Sequence, residues 1–250
     1  FPYGNVYTFR NKTTRGAVYL SGSLTLNSGN ITAEQPLTMT SSNSMVQYVV
    51  GLEEVVGKMR HIDVQNSSVP LQFNNRRLKI EFISASSTRP NEIIIENRPN
   101  SSPSRYIDTT DVYRRTLIEY SGGGANWEAK IQVGYRQSEA ALLANHQDNI
   151  EFYENDANSS KLINTKIVNP ANEYGRFTAT SSELGYIELS GIRPSTAFGV
   201  PPSAMFSSGK ELLLRRKVDT AIINPSIYLS AKIALEGSWR QDLGGKGNEL

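Results

Sequence analysis

"SGSLTLNSGNITAEQPLTMTSSNS", residues 21–44, alternates as a β-strand does, yet it has little to bury. Leu24 and Leu26 share one face, as do Leu37 and Met39, and nearly everything between them is Ser, Thr, Asn or Gly. Apolar residues two apart mark a half-buried strand. Each such side chain contributes about 1.5–3 kcal/mol when fully buried, while ordering the backbone costs about 1–2 kcal/mol per residue. Residues 16–44 are therefore marginal as a free unit. Two arrangements remedy this. Copies of the thin face can close around an axis shared by several chains, which also pairs exposed strand edges. Alternatively, the partner strands lie elsewhere in the same chain, as in an ordinary two-sheet sandwich.

The same period of two recurs outward from this stretch in both directions. Val18 and Leu20 precede it; Val46, Tyr48 and Val50 follow, then Val69, Leu71 and Phe73, then Leu78, Ile80 and Phe82. In "WEAKIQVGYR", Ala129, Ile131, Val133 and Tyr135 lie on one side, and in "TTDVYRRTLIEY" Val112, Thr116, Ile118 and Tyr120 do. Turn-forming clusters such as "NSGN", "SGGGAN" and "ENDANSS" separate the strands. Short strands so punctuated predict an all-β chain. "SEAALLANHQ" (138–147) and "KELLLRRKVDTAI" (210–222) are the two helix candidates. "GIRPSTAFGVPPSAMFSSG" (191–209) carries Pro194, Pro201 and Pro202, which have no backbone donor and do not sit in central strands. It reads as a surface loop or crossover. These breaks divide the chain into modules at 1–90, 91–190 and 191–250. "SMVQYVVG…LQFNN" and "WEAKIQVGYR…IEFYEN" follow a similar plan, a possible internal duplication.

Composition narrows the chemistry. The chain has 250 residues, a net charge of +2 and 20% charged residues, with Lys and Arg scattered, so the concentrated basic face of a nucleic-acid binder is missing. With no cysteine there is no disulfide framework or thiolate metal site. No apolar run reaches the roughly 18 residues of a membrane helix. The opening "FPYGNVYTFRNKTTRG" lacks the apolar core of a signal peptide and reads as a boundary within a longer protein. The five Asn-x-Ser/Thr sequons, at Asn11, Asn30, Asn66, Asn100 and Asn158, match what an Asn- and Ser-rich chain produces by chance.

Catalytic signals are weak. His61 and Asp63 fall on one strand face but read as a polar surface pair, since a relay needs partners that converge in space; His146 lies at a turn. Glu53–Glu54, Asp108–Asp111 and Glu151–Glu154 are carboxylate pairs of the kind a glycan hydrolase needs about 5–10 Å apart, but such pairs are common. "SGGGAN" is followed by neither Lys-Ser/Thr nor a helix, so it is a turn and not a phosphate loop. The expectation is a protein with no catalytic residues, no metal and no cofactor. A sugar presents an apolar ring face and a rim of hydroxyls, so aromatic rings beside hydrogen-bonding groups are the candidate ligand residues: Trp239, Arg240, Tyr228, Phe198 and Phe206. Their alternative role is core or interface packing.

"AVYLSGSLTLNSGNITAEQPLTMTSSNS", with "SMVQYVVGLEEVVGKMRHI" and "KIQVGYRQSEAALLANHQDNIEFYEN", resembles the repeated segments of tailed-bacteriophage tail fibres, over residues 16–85 and 120–190. The resemblance implies an elongated, intertwined homotrimer, exposed on a virion, that attaches to a bacterial surface through a lipopolysaccharide saccharide or an outer-membrane protein, without nucleic acid or membrane insertion. The His-x-His iron motif of some fibre tips is missing here, as is a helical chaperone pattern in "SWRQDLGGKGNEL". A jelly-roll capsid or decoration protein, with two four-stranded sheets, and a fibre-borne depolymerase are the alternatives.

Overall fold

The computed structural model describes residues 7–9, 12–49, 51–101, 112–140, 150–156, 159–163, 176–177, 179–197 and 204–216. The chain divides into Phe1–Arg216 and Lys217–Leu250, and every described residue lies in the first unit. Among the described residues the structure is all-β, with helical geometry only in short 3-10 turns such as Val64–Asn66 and Ser86–Thr88.

The thin N-terminal segments stack on one another as parallel rungs. β1 (Tyr7–Phe9), β2 (Lys12–Thr14) and β3 (Val18–Leu20) form the first rung, β4 (Leu24–Leu26) and β5 (Ile31–Met39) the second, β6 (Val46–Tyr48) and β7 (Val55–Ile62) the third. β1, β4 and β6 pair in parallel as one sheet, while β2 and β3 pair with β5, and β5 with β7, as another. The first step is 19 residues on the second sheet (Lys12 to Ile31, Val18 to Leu37). The next is 22 (Leu37 to Met59) or 24 (Ile31 to Val55). This is a β-solenoid, in which each repeat completes its core with its neighbours. Val18, Leu37 and Met59 form one ladder, and Leu20, Met39 and His61 the next. The expectation that sister chains supply the interior is thus corrected: Leu24, Leu26 and Met39 are fully buried within one copy. Two apolar residues per strand suffice because adjacent rungs cover them above and below.

Each of the first two rungs carries three residues, Arg15–Ala17 and Glu34–Pro36, between its two paired stretches, and Pro36 fits there because the β5–β7 register shifts between Ala33 and Leu37. In β7 a single residue, Lys58, spans the same gap, next to Gly57 at φ 110°. A Cβ on Gly57 would lie 2.2 Å from the Ala33 carbonyl oxygen. With that bulge reduced to one residue, the far edge of β7 takes the antiparallel β10 as its partner, and the solenoid becomes a sandwich.

The remaining strands are β8 (Leu71–Gln72), β9 (Lys79–Phe82), β10 (Glu92–Pro99), β11 (Arg114–Ser121), β12 (Ala129–Tyr135), β13 (Ile150–Asn155), β14 (Ser160–Leu162), β15 (Arg176–Phe177), β16 (Gly185–Pro194), β17 (Met205–Phe206) and β18 (Lys210–Arg216). One sheet runs β14-β13-β18-β11-β10-β7-β5, with β2 and β3 beyond β5; the other runs β15-β16-β12-β9-β8, with β17 on β16. Their inner faces share an interior in which Ile93 and Ile118 of the first meet Ile80, Ala129 and Ile131 of the second. Trp127 closes that interior edge-on to Phe82 and Tyr120, with ring centroids 5.7 and 5.2 Å away. The connection between β8 and β9 seals the solenoid: Phe73, Asn74 and Asn75 are fully buried beneath the last rung. There Tyr48 Oη donates to the Phe73 carbonyl, and Asn74 Nδ2 donates to the carbonyls of Val55 (2.8 Å) and Gly57 (2.9 Å).

Several sequence expectations change on this frame. Residues 210–216 are strand and not helix, and residues 137–140 form a 3-10 turn; residues 141–147 and 217–222 lie outside the described residues. The Pro-rich segment begins inside β16, which runs unbroken through residue 190 and ends at Pro194, and it finishes in β17, paired in parallel with Arg193 and Pro194. Pro194 is tolerated because it is the last residue of the strand. The two segments with a similar plan are not a structural duplication: the "KMRHI" strand has a parallel and an antiparallel neighbour, whereas the "KIQVGY" strand has two antiparallel ones. β7, β10, β11 and β18, drawn from all three stretches at 1–90, 91–190 and 191–250, belong to one sheet.

Candidate functional site

Two polar constellations stand out, one buried and one on the surface. The buried one joins the solenoid to the sandwich. Arg114 has the inward parity of β11, in line with Thr116 and Ile118, and its guanidinium is enclosed. Its Nη2 donates to Glu54 Oε1 (3.0 Å), Nε to Glu139 Oε2 (2.8 Å) and Nη1 to Asn97 Oδ1 (2.9 Å), and Nη1 also reaches Glu54 Oε2 (2.5 Å). Arg136 Nε adds a bond to Glu54 Oε1 (2.7 Å), while Asn97 and Asn75 donate to Glu54 Oε2. The backbone N–H groups of Asn100 and Arg136 complete Glu139. Two carboxylates and two guanidiniums balance. Burial pushes the Glu54 carboxyl upward, but the charge and hydrogen bonds of Arg114 outweigh it and hold the group below its ordinary range. An acid so committed can neither donate a proton nor attack at neutral pH, so Glu54 serves as a structural keystone.

The other catalytic candidates are dispersed. His61 is buried on the solenoid ladder, where Nε2–H donates to the Gln72 carbonyl (2.8 Å) and the ring meets Phe73 edge-on. Burial pushes its pKa down to about 4, so it is neutral. Asp63 leaves the strand face by adopting φ 63° and accepts from Asn66 Nδ2, so it does not orient His61. Glu53 accepts from the Gly51 N–H (2.8 Å), and Glu154 from the Ser207 N–H (2.8 Å). Among the described residues no group of three or more His, Cys, Asp or Glu could hold a metal ion. Asp108, Asp111 and His146 lie outside the described residues, as do Trp239, Arg240, Tyr228 and Phe198. Phe206, the remaining ligand candidate, is buried between the sheets, lining the same interior as Ile118 and Trp127.

The surface constellation is a groove of about 190 Å³ on the outer face of the second sheet, lined by Pro70, Lys79, Glu81, Lys130, Gln132 and Glu188. Strand alternation puts it there: Ile80, Phe82, Ile131, Val133, Ile187 and Leu189 face in, so the residues between them face out. Register then sets the rows. Lys79 of β9 opposes Gln132 of β12, which opposes Glu188 of β16; Glu81 opposes Lys130 one step along. Lys130 Nζ bridges Glu81 (3.2 Å) and Glu188 (3.7 Å), fixing both carboxylates. Lys79 has no ion-pair partner among the described residues, and the Gln132 amide makes no hydrogen bond there. Burial lowers the Lys79 pKa, and the positive charges of Arg77 and Arg76 lower it further, with the Glu188 carboxylate opposing them. At one end Arg77 lies over the Tyr186 ring, 4.9 Å from its centroid, and pairs with Glu183. Gly134 makes this possible, since a Cβ there would lie 2.6 Å from Arg77 Cβ. The sequence holds these residues in plain view, but "LKIEF", "AKIQV" and "YIELS" read like any solvated sheet face. Only the register brings their polar halves together.

No protein-family model matches this chain, and neither a curated protein nor a solved structure matches it.

Proposed function

We propose that this chain is a non-enzymatic attachment module of a fibrous particle, which binds a saccharide on a bacterial surface. The tail fibre of a virion is the setting that the likeness of residues 16–85 and 120–190 implies. The observation that carries the reading is the shared strand β7, which joins stacked parallel rungs to an antiparallel sandwich without a hinge between them. Such a junction suits a rigid support that holds a binding face at its end. A saccharide is favoured over an outer-membrane protein because the groove is lined by charged and amide groups, with Pro70 its one apolar residue. A jelly roll of two four-stranded sheets fits less well than the parallel rungs and unequal sheets. Hydrolysis is the weaker alternative because Glu54 and Glu154 are already engaged by other groups. Homotrimer formation belongs to this proposal as quaternary arrangement only, since the rungs fill their own interior.

The test is attachment of the purified chain to immobilised bacterial surface polysaccharides, including lipopolysaccharide, with reducing ends assayed in parallel. Saturable attachment without release of sugar supports the reading. Release of oligosaccharide, or no attachment to any polysaccharide, overturns it. Sedimentation of the same sample reads whether three copies associate.

A further inference from the structure

Resting on that reading, we infer that the groove between β9, β12 and β16 is the ligand site and that it takes an acidic saccharide, a uronate-type sugar whose carboxylate pairs with Lys79 and whose hydroxyls bond to Gln132 and to the carboxylates of Glu81 and Glu188. Lys79 supplies a positive charge with no carboxylate at ion-pair distance among the described residues, Glu188 acting on it from farther off, next to an amide with no hydrogen bond of its own. Solvated lysines usually need no explanation. This one is half-buried at the wall of a groove, and Arg76 and Arg77 stand beside it, so the corner has an excess of positive charge and favours an anion. The two carboxylates would repel that anion if they were loose. Lys130 lies between them and offsets one of their two charges, Lys79 and the neighbouring arginines offset the other, and the outer lone pairs of both carboxylates remain to accept from hydroxyl groups.

The lining argues for a sugar. It offers ammonium, amide and carboxylate groups in alternation, above the aliphatic stems that carry them, which suits a sugar with hydroxyls at its rim and C–H groups on its ring better than an acyl chain. Its volume of about 190 Å³ is on the scale of one sugar unit. Gly134 and the Arg77–Tyr186 stack border the row along the same face. The geometry commits the ligand to one negative group set among hydroxyls, which a uronate has and a neutral hexose lacks.

The experiment uses the whole chain and two uronate oligomers of different epimer, oligogalacturonate and oligomannuronate, each beside its methyl ester. The ester keeps the ring and removes the charge. NMR of the lysine ammonium and glutamine amide groups is the readout. At least one uronate is expected to shift the Lys79 and Gln132 signals and raise the Lys79 pKa, and its ester is not. Lys79→Met, which keeps the aliphatic stem, is expected to weaken binding by at least about ten-fold, as loss of a charge-assisted hydrogen bond does. Glu119→Gln, on the other sheet, should leave it unchanged. The inference fails if the ester shifts the same signals as well as the acid, if neither uronate shifts them, or if Lys79→Met binds as wild type. Attachment to surface polysaccharides separates the two failures: a Lys79→Met chain that still attaches overturns this site alone, whereas a wild-type chain that does not attach overturns the attachment reading.

Discussion

Arg114→Met tests the buried ion cluster directly. Methionine fills much of the same volume and removes four hydrogen bonds, two to Glu54 and one each to Glu139 and Asn97. Glu54 keeps Arg136, Asn97 and Asn75, and Glu139 keeps two backbone donors. The cluster nevertheless goes from neutral to one uncompensated negative charge in a site where Glu54 is fully buried. Breaking one partner out of a buried pair costs about 3–5 kcal/mol. That is a large share of the roughly 5–15 kcal/mol that holds a domain together. Acid changes the two proteins to different extents. In the wild type Glu54 titrates below its ordinary value, so its contribution is present above the unfolded pKa and is lost as pH falls through the folded one. In the variant, burial is opposed only by Arg136, Asn97 and Asn75, so the Glu54 pKa rises relative to the wild type and acid removes less stability from the variant. The stability gap between the two should therefore narrow between pH 7 and pH 5. Urea unfolding at both pH values measures it. A deficit under about 1 kcal/mol at pH 7, or one that widens on acidification, would refute the account.

His61 is neutral in the fold with a pKa of about 4 against an ordinary 6.5, so the unfolded chain binds its proton first. Stability should fall by about 3 kcal/mol from this residue as pH drops from 7 to 4, and His61→Gln, which can still donate to the Gln72 carbonyl, should lose that share of the pH dependence in urea titrations. Gly57→Ala would push a methyl to 2.2 Å from the Ala33 carbonyl at a positive φ; it should cost at least about 2 kcal/mol, and thermal melting within a degree of wild type would refute the close approach of β5 and β7 at Gly57. Met59→Ala, at a fully buried ladder position, should cost about 2–5 kcal/mol. If one copy encloses its own core, a sample diluted until sedimentation shows single chains should still melt cooperatively with its strand signal intact; loss of the fold on dissociation would return the interior to sister chains.

Much of the fold is written in local alternation. Leu24, Leu26, Leu37 and Met39 announce strands, and Ile80, Phe82, Ile131 and Val133 announce inward faces, because side-chain direction in a strand has a period of two whatever the strand pairs with. The sequence could not say what those faces would meet. Period two is the same in parallel and antiparallel ladders, so thin segments fit a trimer axis, a sandwich or a stack of rungs equally well. The choice came from tertiary pairing: Val18, Leu37 and Met59 fall in one ladder, which Ile95 of the antiparallel β10 continues. Arg114 is the instructive residue between the two levels. Its inward parity on β11 was readable as a charge placed in a core, but its partners Glu54 and Glu139 lie far away in sequence and meet it only when β11 and the third rung share a sheet. The groove was less legible still. Charge and amide groups on a solvated face carry no sequence signature, and it is strand register, set by the buried side, that lines up Lys79, Gln132 and Glu188.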